Sequence, residues 1–356
     1  MIEELPQKVC ITGASGYVAS HIMIKLLEQK FHVIGLTRNK SDFLFNHFDC
    51  LKKKTSYINN LEIIEYDNNV TYDSKNNTLE NILFNCDYLI HGASPVILDS
   101  SWNEENIQKI INPATKYTED ILKASLKTKI KKVIFISSTI TIYDGTKDFY
   151  GSNDWADESY FHDAYTLSKI KSEKIAWKIY EENKKWELVV FNPGRIIGPI
   201  IYNKIPESYC SIIEAIELKK KQTLFPTLNL NVNNYYSSFC DVRDVAEIIV
   251  GSLPNKKTSR NIISFEIKEF KDYCKVLHLC TSFRSLKTPP KGAVSFGFEQ
   301  GDTDCALEMR NGVKIPNLLF IQNESIFEYE NSFKKHTFID FEKSVKDSIN
   351  SMNQIL

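Results

Sequence analysis

The sequence predicts an α/β fold: a doubly wound parallel sheet with helices on both faces, and a smaller C-terminal lobe. Three observations carry the prediction. Short β-branched runs alternate with helical periods through the first two thirds of the 356 residues. The runs are almost unbroken in apolar character, as in Val133-Ile134-Phe135-Ile136, which suits strands covered on both faces. The first run passes directly into a glycine-bearing turn that opens a helix, the start of a Rossmann-type unit.

Taken in order, strands are predicted at Lys8–Thr12, His32–Leu36, Glu62–Tyr66, Asp87–His91, Lys132–Ile136 and Glu187–Phe191. Helical periods fall near 17–30, 79–85, 104–127 and 164–183. Residues 38–60 and 67–78 are rich in Asn and Lys and read as irregular surface. Past residue 195 the pattern loosens: Gly198-Pro199, Pro206, Pro226 and an Asn-rich stretch at 229–234 mark loops between smaller elements. The expected division is a sheet domain over 1–195 and a divergent lobe over 196–356. Residues 237–265 are expected to return to the sheet, and a helix at 340–354 to close the chain.

Composition excludes several classes. With 42% hydrophobic residues the chain can bury a large core, and 44 basic against 45 acidic residues leave no electrostatic footprint for nucleic acid or an anionic membrane. No uninterrupted apolar stretch approaches the roughly 18 residues of a membrane span, and the start, Met1 to Gly13, lacks the pattern of a secretory signal. The eight cysteines are scattered, without a CxxC pair or a Cys/His cluster, so free thiols in the cytoplasm are expected and a metal site is not.

The turn after the first strand reads Thr12-Gly13-Ala14-Ser15-Gly16-Tyr17-Val18-Ala19. Gly13 permits a sharp turn, Gly16 a close approach of backbone to a pyrophosphate, and Ala19 tight packing of helix on strand. The helix start then offers free N–H groups to phosphate. Sites of this kind that prefer NAD place an acid about 20 positions further on, for the ribose 2′-hydroxyl. Here the second strand ends in Thr37-Arg38, with Lys40 close by, so a 2′-phosphate and hence NADP(H) is expected. Asp67, after the third strand, suits either an adenine amine or a simple turn.

Tyr-x-x-x-Lys occurs three times, at Tyr143/Lys147, Tyr165/Lys169 and Tyr180/Lys184. In a parallel sheet the ligand edge lies at the carboxyl ends of the strands, where helices begin. Tyr165 lies at the start of its helix and Tyr180 near the end, while Tyr143 lies in a glycine-containing loop. Tyr165 and Lys169 therefore share one helical face at the edge to which the fifth strand delivers Ser137-Ser138-Thr139. A serine to orient a carbonyl, a tyrosine to protonate it and a lysine to lower the tyrosine's pKa form a complete reductase constellation.

In these motifs the chain resembles the extended short-chain dehydrogenase/reductases of the NAD(P)-dependent epimerase/dehydratase superfamily. The resemblance is to the branch of dihydroflavonol 4-reductases, cinnamoyl-CoA reductases and fungal aldehyde or methylglyoxal reductases. It rests on TGASGYVAS at 12–20, HGASP at 91–95, INPA at 111–114, FISST at 135–139, AYTLSK at 164–169, NPGRIIGP at 192–199 and DVRDVA at 241–246, over roughly residues 8–255. It implies Ser138, Tyr165 and Lys169 as catalytic residues, with Thr139 the fallback for the serine. For the cofactor it implies Gly13, Ser15, Gly16, Tyr17, Val18 and Arg38 at the phosphate end, with Asp67 at the adenine. Ala93, Ser94, Pro95 and Ser137 are implied beneath the ribose and nicotinamide, together with Tyr165 and Lys169 themselves. Pro193, Gly194 and Ile196 are implied at the nicotinamide amide. Asn112 matches a helix asparagine that supports the lysine through water, or is an ordinary residue before Pro113; Asp244 is expected to cap a helix at 245–253.

The resemblance thus implies reduction of an aldehyde or ketone to an alcohol with NADP(H), on a small-molecule carbonyl substrate. It leaves homodimer and monomer open, and substrate and direction unassigned. Arg195 departs from the branch's pattern and suits a more polar or anionic substrate, whereas the loop holding Tyr143, Phe149, Tyr150, Trp155, Tyr160 and Phe161 suits an apolar one. Residues 256–335 show no match, while 338–349 again resembles the family's closing helix. Two other functions stand beside reduction: a nucleotide-sugar epimerase or dehydratase on the same scaffold, which keeps NAD bound, and a non-catalytic NADP(H) sensor.

Overall fold

The computed structural model describes residues 6–67, 78–92, 104–144, 146–147, 149–160, 164–205, 236–264, 266–269, 319–320 and 338–355. Its strands are β1 (Lys8–Thr12), β2 (His32–Thr37), β3 (Leu61–Glu65), β4 (Tyr88–His91), β5 (Lys132–Ile136), β6 (Phe149–Tyr150) and β7 (Glu187–Pro193). There follow β8 (Arg195–Ile197), β9 (Tyr236–Asp241), β10 (Ser259–Ile263), β11 (Glu266–Glu269) and β12 (Leu319–Phe320). Seven form one parallel sheet in the order β10-β7-β5-β4-β1-β2-β3. The order reverses between β1 and β4, and the crevice outside the strand ends at such a reversal is where ligands bind.

Alternation along each strand builds two cores. On one face Val9, Ile11, Ile134 and Ile136 pack with Ile22, Met23 and Leu26 of α1 (Tyr17–Glu28). On the other, Cys10, Val133 and Phe135 pack with Ile121 and Leu122 of a later helix and with Trp186. Each such buried side chain contributes roughly 1.5–3 kcal/mol, so a one-residue slip would forfeit both cores together. Gly35 lets β2 lie close to its neighbours: a Cβ there would stand 2.7 Å from Ile63 and 2.9 Å from Ala14.

The stretch expected to be irregular between 38 and 60 is largely helical. It runs through α2 (Lys40–Phe43), a π-turn (Leu44–Phe48) and α3 (Asp49–Lys52), with Asn39 capping the start by accepting from the Asp42 N–H. Phe43, His47 and Leu51 recur every four residues and are fully buried, a helical face hidden among polar neighbours. His47 stacks between Phe43 (5.1 Å) and Tyr202 (4.2 Å).

The remaining helices are α4 (Leu79–Leu83), α5 (Glu104–Leu126), α6 (Ala164–Asn183), α7 (Val242–Gly251) and α8 (Phe341–Asn353). α7 begins three residues earlier than expected and its cap is Asp241, which accepts from the Arg243 N–H at 2.8 Å. Asp244 lies inside the helix, buried, and accepts instead from the Ile339 N–H. Aspartates three apart both look like caps; the extended backbone of Asp241 and its bond from the Arg243 N–H decide which one is. α8 docks through serines: Ser344 donates to Asp241 (2.6 Å), Ser348 bonds both N–H and C=O of Gly198, and Ser351 accepts from the Ile200 N–H. A second, mixed sheet, β11-β9-β8, lies beside the large one.

Candidate active site

At the carboxyl edge of β1 the chain turns on Gly13, whose φ of +70° favours glycine. Gly16 donates to the Gly13 carbonyl at 2.8 Å, and a Cβ on Gly16 would stand 2.9 Å from that oxygen. α1 then starts at Tyr17 with no side chain capping it. This sets the turn Ser15, Gly16, Tyr17 and Val18 at a helix start, a placement suited to a pyrophosphate. Thr37, at the end of β2, donates to Ser15 Oγ at 3.4 Å and ties this loop to the next strand end.

Arg38 follows directly and is exposed, with no ion pair among the described residues. Lys40 is exposed too; its N–H bonds Glu65, the residue two before half-buried Asp67. Arg38 and Lys40 thus put two basic residues just past the end of β2, where the sequence has no acid.

β5 delivers Ser137 and Ser138. Ser138 is half-buried and extended, and its hydroxyl accepts from the Ile140 N–H at the start of a short turn, Thr139–Thr141. α6 packs against this turn. Lys169 is buried, and its ammonium donates to the carbonyl of Ile136 (3.4 Å), two residues before Ser138. The same ammonium lies 6.0 Å from the centre of the Tyr165 ring. Burial pushes the Lys169 pKa down to about 8, against the carboxylate of Glu173, which favours the charged form. Lys169 and Tyr165 thus lie on the helix face toward the strand end that carries Ser138. The other two Tyr-x-x-x-Lys pairs do not reach it: Lys147 is paired with Asp154 (2.6 Å), and Tyr180 packs beside Trp177 and Trp186 at the far end of α6.

Next to β5, His91 is wedged in the sheet between Thr12 (2.8 Å) and Thr118 (3.1 Å). Burial pushes its pKa down to about 3, with the nearby Lys169 charge acting in the same sense, so it is a neutral hydrogen-bonding strut. On the other side of β5, Pro193 is buried and Gly194 donates to the Ile263 carbonyl. Any side chain at Gly194 would collide with Ser238 of β9. Ile196 is half-buried in β8, where Arg195 pairs with Phe239.

Ala93, Ser94 and Pro95 lie outside the described residues, as do Phe161 and most of 256–335. Asn112 is exposed on α5. Of the aromatic loop, Tyr150 is buried with its hydroxyl on Asp144 (2.8 Å), Tyr143 packs edge-on against it, and Trp155 lies under Arg260. Those rings pack on one another and against β10. Among the described residues no group of His, Cys, Asp and Glu could hold a metal, and no helix is long and apolar enough to cross a membrane.

Sequence reasoning missed the groups under Ser138. Glu173, fully buried on α6, accepts from Ser137, Thr141 and Asn192 and is paired with Arg260 of β10. Positions 165, 169 and 173 share one helical face, and a polar face on a helix packed against the sheet was the available signal.

A model of the NAD dependent epimerase/dehydratase family matches residues 9–267. The chain is 28% identical over 252 residues to cinnamoyl-CoA reductase 2 of Medicago truncatula, covering 67% of this chain and 66% of that one. To dihydroflavonol 4-reductase of Arabidopsis thaliana it is 28% identical over 221 residues, covering 59% and 54%. The match thus spans just under two thirds of the first relative and about half of the second. The yeast methylglyoxal/isovaleraldehyde reductase, solved in complex with NADPH, shares the fold, with a TM-score of 0.73 at 19% identity over 98% of both chains.

Proposed function

This chain belongs to the NAD dependent epimerase/dehydratase family, and from that premise we propose that it is an NADP(H)-dependent reductase turning an aldehyde or ketone into an alcohol. The observation that carries the reading is the Lys169 ammonium, set near the Tyr165 ring and on the Ile136 carbonyl two residues before Ser138. A Cβ at Gly16 would press on the Gly13 carbonyl, so this turn needs glycine there, which supports a backbone turn bare enough for a dinucleotide phosphate. Arg38 and Lys40 would hold the 2′-phosphate, and Pro193, Gly194 and Ile196 would line the nicotinamide end. Residues 1–195 would then hold the cofactor, and 196–356 chiefly the substrate. The four described cysteines are free thiols, which supports a cytoplasmic home.

NADPH, when bound, supplies the hydride. The chain's own part is acid catalysis and orientation. Ser138 donates a hydrogen bond to the carbonyl oxygen and holds it toward Tyr165. Tyr165 gives its phenolic proton to that oxygen as negative charge develops there, and the Lys169 ammonium stabilises the phenolate left behind. Lys169 must be charged for this, so turnover falls on the basic side as pH passes about 8. The proposed substrate class follows Arg195, the residue that departs from the branch's pattern.

The test is NADPH oxidation against a panel of aldehydes, diketones, keto acids and flavonoid-like ketones. Turnover of at least one class is expected, with keto acids favoured and Arg195→Ala erasing their advantage. Absence of turnover, with NAD released on denaturing the purified protein, would instead assign an epimerase or dehydratase.

A further inference from the structure

Beneath the serine turn, hydrogen bonds from four parts of the chain converge on one carboxylate. Glu173 Oε2 accepts from Ser137 Oγ (2.5 Å), Thr141 Oγ1 (2.7 Å) and Asn192 Nδ2 (2.9 Å). Oε1 accepts from Arg260 Nε (2.5 Å) and Trp177 Nε1 (3.4 Å). Arg260 in turn donates to the carbonyls of Thr141, Ser152 and Asp154, and lies 3.9 Å above the Trp155 ring. Both side chains of the ion pair are almost wholly buried.

An ion pair this deep is a poor way to gain stability. Taking both charges out of water offsets most of their attraction, and apolar residues of the same volume commonly do as well or better. What the pair touches suggests its use. Ser137 and Thr141 flank Ser138, and Asn192 also donates to the Ser138 carbonyl (3.3 Å) before leading into Pro193-Gly194. Glu173 lies one helical turn beyond Lys169 on the same face. One carboxylate therefore grips the residues on both sides of the serine, and sets its negative charge beside the buried ammonium.

We propose that Glu173 and Arg260 are positioning residues for the reaction, holding Ser138 in register with Tyr165. This rests on the reductase reading above. The groups facing Lys169 are Tyr165 and Glu173 on its own helix, His91 on β4 and the Ile136 carbonyl on β5. His91 is neutral, so the carboxylate is the charge that opposes the burial of the ammonium.

The test uses the full chain with Glu173→Gln/Arg260→Met, which removes both charges of the pair and keeps an amide oxygen for the hydroxyls. Thermal unfolding, NADPH affinity, kcat and KM across pH, and hydrogen exchange of residues 137–142 are measured. NADPH affinity and KM are expected within about threefold of the parent, with kcat about 10- to 100-fold lower. The basic limb of kcat should move to lower pH, because the ammonium loses its proton more readily without the carboxylate. Amides of 138–142 should exchange at least about tenfold faster while β5 stays protected. A folded double variant with unchanged kcat, pH profile and exchange would overturn the proposal. If the double variant does not fold, Thr141→Val removes one donor from the carboxylate and should lower kcat about three- to tenfold at constant KM; unchanged kcat would count equally against it. If the parent reduces no carbonyl, it is the reductase reading that fails, and exchange over 137–142 alone decides whether the pair holds the turn.

Discussion

Helix α6 presents Tyr-x-x-x-Lys twice, as Tyr165–Lys169 in its first turns and Tyr180–Lys184 at its end, in unlike surroundings. At the front, Lys169 is buried against the end of β5, and Glu173 ties the neighbouring serine turn to the helix. At the back, Tyr180 stacks on Trp186 within an apolar core, and Lys184, past the helix end with φ of +46°, is exposed and pairs with Glu181. Spacing is the same; what lies beneath differs. The same motif meets hydroxyls and charge at one end of the helix and an apolar core at the other, and we propose chemistry only for the first.

The comparison breaks if the two tyrosines prove alike. Tyr165→Phe is expected to lower kcat by about 10²–10⁴-fold with near-normal NADPH binding and a melting temperature close to the parent's. Tyr180→Phe should change kcat less than about threefold, while Tyr180→Ala should cost about 1–3 kcal/mol of stability, because it empties a half-buried ring site. Steady-state kinetics and urea unfolding on the same three variants check this. Equal loss of turnover for Tyr165→Phe and Tyr180→Phe would refute it.

The front end is sharpened by what lies across the strand edge from it. Arg38 is expected to make NADPH bind about 10- to 150-fold more tightly than NADH, the yield of one charge-assisted hydrogen bond of roughly 1.5–3 kcal/mol. Arg38→Ala should remove most of that preference without touching kcat at saturating cofactor. Titration of both cofactors against parent and variant measures it; equal affinities in the parent would contradict the assignment.

A smaller effect separates the site's pH dependence from that of the fold. Burial lowers the pKa of His91 to about 3 and those of His21 and His47 to about 4, below the unfolded value near 6.5. The unfolded chain therefore takes up protons first, so the stability these rings contribute is complete above about pH 6.5 and is lost as pH falls toward 4. At pH 5 the loss is on the order of 1–2 kcal/mol per ring. Urea midpoints at pH 7 and pH 5 should differ accordingly, while the limb from Lys169 appears only on the basic side.

The sheet was legible because its strands are nearly continuous apolar runs, and β1 and β5 begin and end where the sequence places them. α6 was legible from end to end. The stretch 40–52 was not, because Asn and Lys dominate its composition and only the four-residue recurrence of Phe43, His47 and Leu51 betrays the buried face. The cap of α7 was misplaced because Asp241 and Asp244 look alike until the extended backbone of Asp241 is known. Arg260 was invisible for a different reason. Its partner Glu173 lies 87 residues away in sequence, and no local pattern announces a pairing made by β10 at the sheet edge.

The most direct measurement is the fate of the hydride. NADPH carrying deuterium at one face of C4 is incubated with whichever carbonyl the panel shows to be turned over, and the alcohol is analysed by mass spectrometry and NMR. The account predicts one deuterium on the carbinol carbon, delivered from one of the two C4 faces only, and no incorporation with Tyr165→Phe beyond its residual turnover. Alcohol free of deuterium with either labelled face, or label transferred equally well by the Tyr165→Phe protein, would contradict it.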